Sequence, residues 1–143
     1  FTIYVKDLKT GDAPQTQFSL GASFFPFNRI TVQGIFRYYA NHYADWLATN
    51  RTDPQDRAQS WKAPDYFVMD FHMTYTFPKM INNVDIQLFG HVFNVLNQVY
   101  VQDAVDNSPY NAFTGDGKNH EADDAEVFLG LPRIFNLGFS VIW

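Results

Sequence analysis

Cysteine is absent from the 143 residues. That excludes a disulfide framework, a thiol nucleophile and a cysteine metal site. No stretch approaches the roughly eighteen consecutive apolar residues that a membrane helix requires, so a helical membrane protein is excluded while a membrane barrel is not. Bases are few: ten Lys and Arg against fifteen Asp and Glu give a net charge of −5. Without a basic face, nucleic acid is not an expected partner. His42, His72, His91 and His120 show no metal-ligand spacing. Gly-x-Ser-x-Gly, phosphate-loop and paired-carboxylate motifs are also missing, so neither a cofactor, a metal nor an enzymatic reaction is expected. No methionine or apolar signal region opens the chain, and "FTIYV" reads as the inside of a strand. Phe1 is therefore expected not to be the natural N-terminus.

What the chain has in abundance is aromatic residues, with 15 Phe, 8 Tyr and 3 Trp, arranged with a period of two. Six segments read as strands, at about 1–8, 15–25, 30–43, 65–77, 83–100 and 132–143, and no amphipathic helix pattern interrupts them. In "FVMDFHMTYTF", Phe67, Met69, Phe71, Met73, Tyr75 and Phe77 share one face while Val68, Asp70, His72, Thr74 and Thr76 share the other. The segments at 18–24 and 30–39 sort in the same way. So does the last stretch, with Phe135, Leu137, Phe139, Val141 and Trp143 opposite Asn136, Gly138, Ser140 and Ile142. In 84–93 the alternation slips near Phe89 and Gly90, which predicts a bulge or kink.

A strand with one apolar face belongs either to a sandwich, where that face meets a second sheet, or to a membrane barrel, where it meets lipid. Three features favour the barrel. The polar faces carry Gln, Arg, Asp, His and Thr where a soluble surface more often shows Lys and Glu. The connections alternate between tight ("FPFN", "PKMINN") and long (44–64 and 101–131), as outer-membrane barrels do. Aromatics also gather at both strand ends: Phe24, Phe25, Phe27, Phe77 and Trp143 at the tight turns, Tyr38, Tyr39, Tyr43, Trp46, Trp61, Tyr66 and Tyr100 at the long loops.

The stretches "WKAPDYFVMDFH" and "FNVLNQVYV", within a texture that runs from "TGDAPQTQFSLGASFFPFNRITVQGIFRYYANHYADW" to the C-terminus, resemble the C-terminal barrel strands of TonB-dependent receptors, particularly those of Bacteroidota-type bacteria. The resemblance covers essentially all of residues 1–143. It implies an all-β fold: an antiparallel transmembrane β-barrel of about 22 strands, of which this chain supplies about the last six. The N-terminal strands and the plug would lie outside the chain. It also implies import of a ligand across the outer membrane, driven through TonB. The implied partners are the lipid bilayer, the receptor's own plug domain, TonB, the barrel assembly machinery and a surface lipoprotein. The C-terminus would face the periplasm.

Within this resemblance, Asn136, Gly138, Val141 and Trp143 match the terminal signal that the assembly machinery reads. A second role is thus capture of the chain as an assembly substrate, and a soluble sandwich or lipocalin-like binder is the third. Arg37, Asp70, His72 and Thr74 are the expected lumen-facing polar residues, with Arg37 pairing with Asp70 across the wall. The loop 101–131 carries about −6, leaving about +1 for the rest. Its Asp116, Glu121, Asp123, Asp124 and Glu126 are a candidate ligand or ion site, although Lys118 and His120 stand where a calcium loop needs oxygens. The expectation for this loop is a solvated acidic surface. "RTDPQDR" (51–57) reads as a turn-rich surface loop, and Asn94 and Asn97 as local turn formers.

Overall fold

A computed structural model describes residues 2–78, 84–108 and 119–142. Strands dominate. β1 (Thr16–Phe27), β2 (Ile30–Ala40), β3 (Tyr66–Thr76), β4 (Asp85–Phe93) and β7 (Ile134–Ile142) form one five-stranded sheet in that order, and β5 (Val101–Asp106) pairs with β6 (Ala125–Leu129) in a separate hairpin. Successive strands of the large sheet are neighbours, the β5–β6 hairpin being an insertion between β4 and β7. The fold is all-β, with β3 and β4, β4 and β7, and β5 and β6 paired antiparallel. The sheet is open, with β1 and β7 at its edges.

By contacts the chain forms two compact units. One contains residues 18–38, 67–99 and 131–143 and holds most of the large sheet; the other contains residues 1–17, 39–66 and 100–130 and holds the long connections.

In the sheet unit, the period-two pattern of the sequence becomes two chemically distinct faces. Phe71, Met73 and Tyr75 of β3 stand opposite Val92, Gly90 and Leu88 of β4. Leu88, Gly90 and Val92 in turn stand opposite Phe139, Leu137 and Phe135 of β7. The same face continues from Phe67 of β3 to Phe36 of β2 and Phe18 of β1, with ring centroids 5.6 and 6.5 Å apart. The opposite face holds His72, Thr74, Phe89, His91, Asn136 and Gly138.

Two expectations are corrected here. Residues 2–8 are not a strand: Asp7 adopts φ 68°, which breaks an extended run, and Leu8 N–H closes a turn on the Val5 carbonyl at 3.3 Å. The large sheet therefore has five strands. Nor is there a bulge at Phe89–Gly90, since the register runs unbroken from Gln87 to Val92 against β3 and from Asp85 to Phe93 against β7. The sequence slips there because a glycine occupies the apolar face and a phenylalanine the polar one. Phe89 lies over Gly138, where a Cβ would come within 2.5 Å of its Cζ. The irregularity lies instead in β5, between Val101 and Asp103. The second tight turn falls largely on 79–83, outside the described residues.

The unit of long connections is held by backbone pairing between segments distant in sequence. Ala44 N–H donates to the Trp61 carbonyl at 2.8 Å and Ala63 N–H to the His42 carbonyl at 2.8 Å, which folds 44–64 back on itself. Asp45 and Asp106 then join that segment to β5: Asp45 N–H reaches the Ala104 carbonyl at 2.7 Å, and Asp106 N–H reaches the Asp45 carbonyl at 2.8 Å. Ala44, Ala63 and Ala104 are buried where these segments meet. Small side chains suit such close backbone approach.

Candidate functional site

On β3 exposure is inverted relative to a water-soluble sheet. On β3 the apolar Met69, Phe71 and Met73 are exposed, while Val68 and the carboxylate-bearing Asp70 on the opposite face are buried. At the β7 edge, Leu137 is 77% and Phe139 71% exposed. The apolar side of β1 is exposed too, at Phe18, Leu20 and Phe24. Large apolar side chains scattered singly on a surface are ordinary, but a face of them spread over a whole sheet marks a contact surface.

The polar face is organised around Asp70. Arg37 Nη1 on β2 lies 2.7 Å from Asp70 Oδ2, and the Asn94 backbone N–H donates to Asp70 Oδ1 at 2.9 Å. A buried carboxylate needs such partners, because desolvation without them costs several kcal/mol, on the order of 3–5 when one partner of a buried pair is removed. The expected Arg37–Asp70 pair is thus present.

Asn94 begins the turn that ends β4. It adopts φ 48°, a conformation that asparagine tolerates better than most residues. Its side-chain oxygen accepts from Gln98 N–H at 2.9 Å, and its amide donates to the carbonyls of Gln98 and Leu131 at 2.8 and 3.1 Å. Asn97, at φ 52°, accepts from Arg133 N–H at 3.0 Å. The bonds of Asn94 with Gln98 are the local turn bonds that the sequence context suggests, whereas its bond to Leu131 and that of Asn97 with Arg133 reach a distant segment.

Next to Asp70 on the same face, His72 meets His91 directly across β3 and β4, with Nδ1 atoms 2.8 Å apart. Together with Ser23, Thr31, Gln33 and Thr74 they line a cavity of about 370 Å³. His72 and Thr74 were expected on this face; His91 was not singled out, because the slip at Phe89–Gly90 obscured its side of the strand.

The other unit contains a charge cluster that sequence reasoning missed. Arg51, Asp56, Asp106 and His120 are all buried. Arg51 Nη1 lies 2.8 Å from Asp56 Oδ1 and 3.0 Å from the Ala58 carbonyl, and Nη2 lies 3.4 Å from Asp106 Oδ2. His120 Nδ1 meets Asp106 Oδ2 at 2.5 Å, while its Nε2 lies 2.7 Å from Arg51 Nη1 and 3.1 Å from Asp56 Oδ1. Arginine only donates. Nε2 therefore accepts from Arg51 in the neutral ring and donates to Asp56 in the charged ring.

Burial works against charge on Asp106, but hydrogen bonds from His120 and Ser108 hold its carboxyl below the ordinary range. Burial likewise opposes the imidazolium of His120, yet the hydrogen bond and charge of Asp106 raise its pKa in spite of Arg51 nearby. The partners are 55 to 69 residues apart for Arg51 with Asp106 and His120, so no local pattern could have announced them.

This corrects two surface expectations. "RTDPQDR" is not simply a turn-rich surface loop, since it buries Arg51 and Asp56. The acidic loop is not uniformly solvated, since Asp106, His120 and Asp124 are buried in it. Glu121, Asp123 and Glu126 are exposed, and Glu126 accepts from Asn107 Nδ2 at 3.2 Å. Asp116 lies outside the described residues. Among the described residues no three His, Asp or Glu side chains converge on a point suited to a metal ion.

Of the expected terminal signal, Asn136 stands opposite His91, Gly138 opposite Phe89, and Val141 opposite Ile86. Trp143 lies outside the described residues. Comparison of the chain with protein-family models, curated proteins and solved structures found no match.

Proposed function

We propose that the chain is the C-terminal wall of an outer-membrane β-barrel of the TonB-dependent receptor type, whose long connections help capture a ligand imported by energy-coupled transport. One observation carries this reading: the sheet exposes a face of large apolar side chains on β1, β3 and β7, while on β3 the opposite face buries Asp70 and half-buries His72 and Thr74. In water, each large apolar side chain left uncovered forgoes about 1.5–3 kcal/mol of burial. In a bilayer the same face is solvated by lipid, and the polar face lines the interior.

The strand lengths agree, since β1, β2, β3, β4 and β7 span 12, 11, 11, 9 and 9 residues, and a tilted membrane strand needs about 9–11. Five strands do not close a barrel, and open edges in lipid leave backbone groups unpaired at several kcal/mol each. The remaining strands and the plug belong, in this proposal, to the rest of the receptor.

A second role is favoured by the place of β7. It is an edge strand with an exposed apolar face, which is what the barrel assembly machinery would engage before closure removes the edge. The test is fractionation of the producing cells, followed by gel mobility with and without heating. Recovery in the outer-membrane fraction with a heat-modifiable compact band supports the proposal. Recovery as a soluble protein that folds compactly without detergent refutes it and leaves a sheet-on-sheet binder.

A further inference from the structure

The half-buried imidazoles of His72 and His91 are opposed across two strands, on a face where neither is needed for backbone pairing. Their mutual position is fixed from both sides. The strand register sets the Cβ positions, and ring contacts of His72 with Phe93 and of His91 with Phe89, at 5.6 and 5.4 Å between centroids, set the ring planes.

A divalent first-row ion binds imidazole nitrogen at about 2.0–2.1 Å, so two nitrogens at right angles around it lie about 2.9 Å apart, and two at the tetrahedral angle about 3.4 Å. The 2.8 Å between the two Nδ1 atoms is that of a ring-to-ring hydrogen bond, and it places both nitrogens close enough for rotation of the rings to bring them onto one ion.

The geometry points to a two-imidazole site for a divalent first-row ion, Cu²⁺ above the others, on the polar face of the sheet between β3 and β4. Cu²⁺ is favoured because it binds nitrogen donors most tightly in the divalent series. The other coordination positions go to water in the cavity, where the hydroxyls of Ser23, Thr31 and Thr74 and the amide of Gln33 are available as hydrogen-bond partners for that water.

In the ion-free pair one Nδ1–H donates to the other Nδ1. Binding requires both Nδ1 lone pairs: the donor ring gives up its Nδ1 proton and takes one at Nε2, with no net change in protons. The rings then turn about their Cβ–Cγ bonds to converge on the ion. Asp70, two residues from His72, does not supply a third ligand, because Arg37 and the Asn94 N–H occupy its oxygens.

The test is titration of Cu²⁺ into the chelator-stripped, detergent-purified protein against a competing chelator, with electron paramagnetic resonance to count bound nitrogens. The expected result is one ion per chain with two nitrogen ligands. His72→Gln and His91→Gln should each weaken binding roughly tenfold or more, while His42→Gln should not. Protection of the unaltered protein supplies a readout independent of variant folding: bound Cu²⁺ should shield His72 and His91 from diethyl pyrocarbonate. The inference is overturned if the unaltered protein takes up no stoichiometric Cu²⁺, if the Gln variants bind as tightly, or if both imidazoles stay reactive at saturating ion. Its failure leaves the membrane reading intact, since fractionation tests that separately.

Discussion

Arg37 Nη1 stands 2.7 Å from Asp70 Oδ2, and the two partners are unequally placed: the Arg37 side chain is 35% exposed and the Asp70 side chain 3%. The pair therefore matters mainly for what it does to the buried carboxylate. Asp70 also holds the Asn94 N–H, so Asp70→Ala leaves both a cation and a buried donor without a partner. Arg37→Ala should nevertheless destabilise the protein more, by on the order of 3–5 kcal/mol, because it strands the buried carboxylate, whereas the partly exposed Arg37 left by Asp70→Ala can reach solvent. Exchanging the two residues should recover only part of the loss, because an arginine at position 70 cannot accept from Asn94. Denaturant unfolding of the three variants beside the unaltered protein checks the order.

Gly138 and Gly90 sit on opposite faces and should respond differently to the same methyl group. A Cβ at Gly138 meets the Phe89 ring, whereas a Cβ at Gly90 finds Leu137 Cδ1 at an ordinary 3.7 Å. Gly138→Ala is expected to cost about 1–3 kcal/mol as an overpacking change, with partial recovery in the Gly138→Ala, Phe89→Leu double variant. Gly90→Ala should have a small effect. Thermal unfolding of the three proteins decides the matter.

At the end of β4, Asn94→Ala removes three side-chain hydrogen bonds and places alanine at positive φ. Asn94→Gly loses the same bonds but relieves the backbone. Glycine should therefore be the milder substitution, by about 1–2 kcal/mol, in the same unfolding measurement.

The buried cluster of Arg51, Asp56, Asp106 and His120 predicts a stability window in pH. His120 is raised above its ordinary 6.5, so its contribution is complete below that pH and is lost as pH rises through the raised folded value. Asp106 is lowered below its ordinary 3.8, so its contribution is present above that pH and is lost as pH falls through the lowered folded value. Hydrogen exchange at the Arg51 and Ser108 amides should thus be slowest between about pH 3.8 and 6.5, after correction for intrinsic rates. His120→Gln should remove the alkaline loss and shrink the acid one to the part that the Ser108 hydrogen bonds supply.

The sheet was legible where one residue determines its own environment. In β3 every second side chain changes from apolar to polar, so faces, strand and the Arg37–Asp70 pair could be read directly. The pattern failed where two strands share a packing decision: Phe89 and Gly90 look out of phase until Gly138 and Leu137 are set beside them. It failed more fully for Arg51 and His120, which look like loop charges because what buries them comes from distant segments. Residues 2–8 misled for the opposite reason, since their alternation is real but the turn at Asp7 and the bond from Tyr4 N–H to the Arg51 carbonyl take them elsewhere.

The central claim is that the apolar face of the sheet meets lipid. Because the chain has no native cysteine, single cysteines can be placed along β3 and β7 and labelled with nitroxides in membranes. The account predicts alternation with a period of two: labels at Phe71, Met73, Leu137 and Phe139 accessible to oxygen dissolved in lipid, and labels at Thr74 and Asn136 shielded from it. Equal access of a water-soluble relaxation agent to both sets, with no alternation, would contradict it.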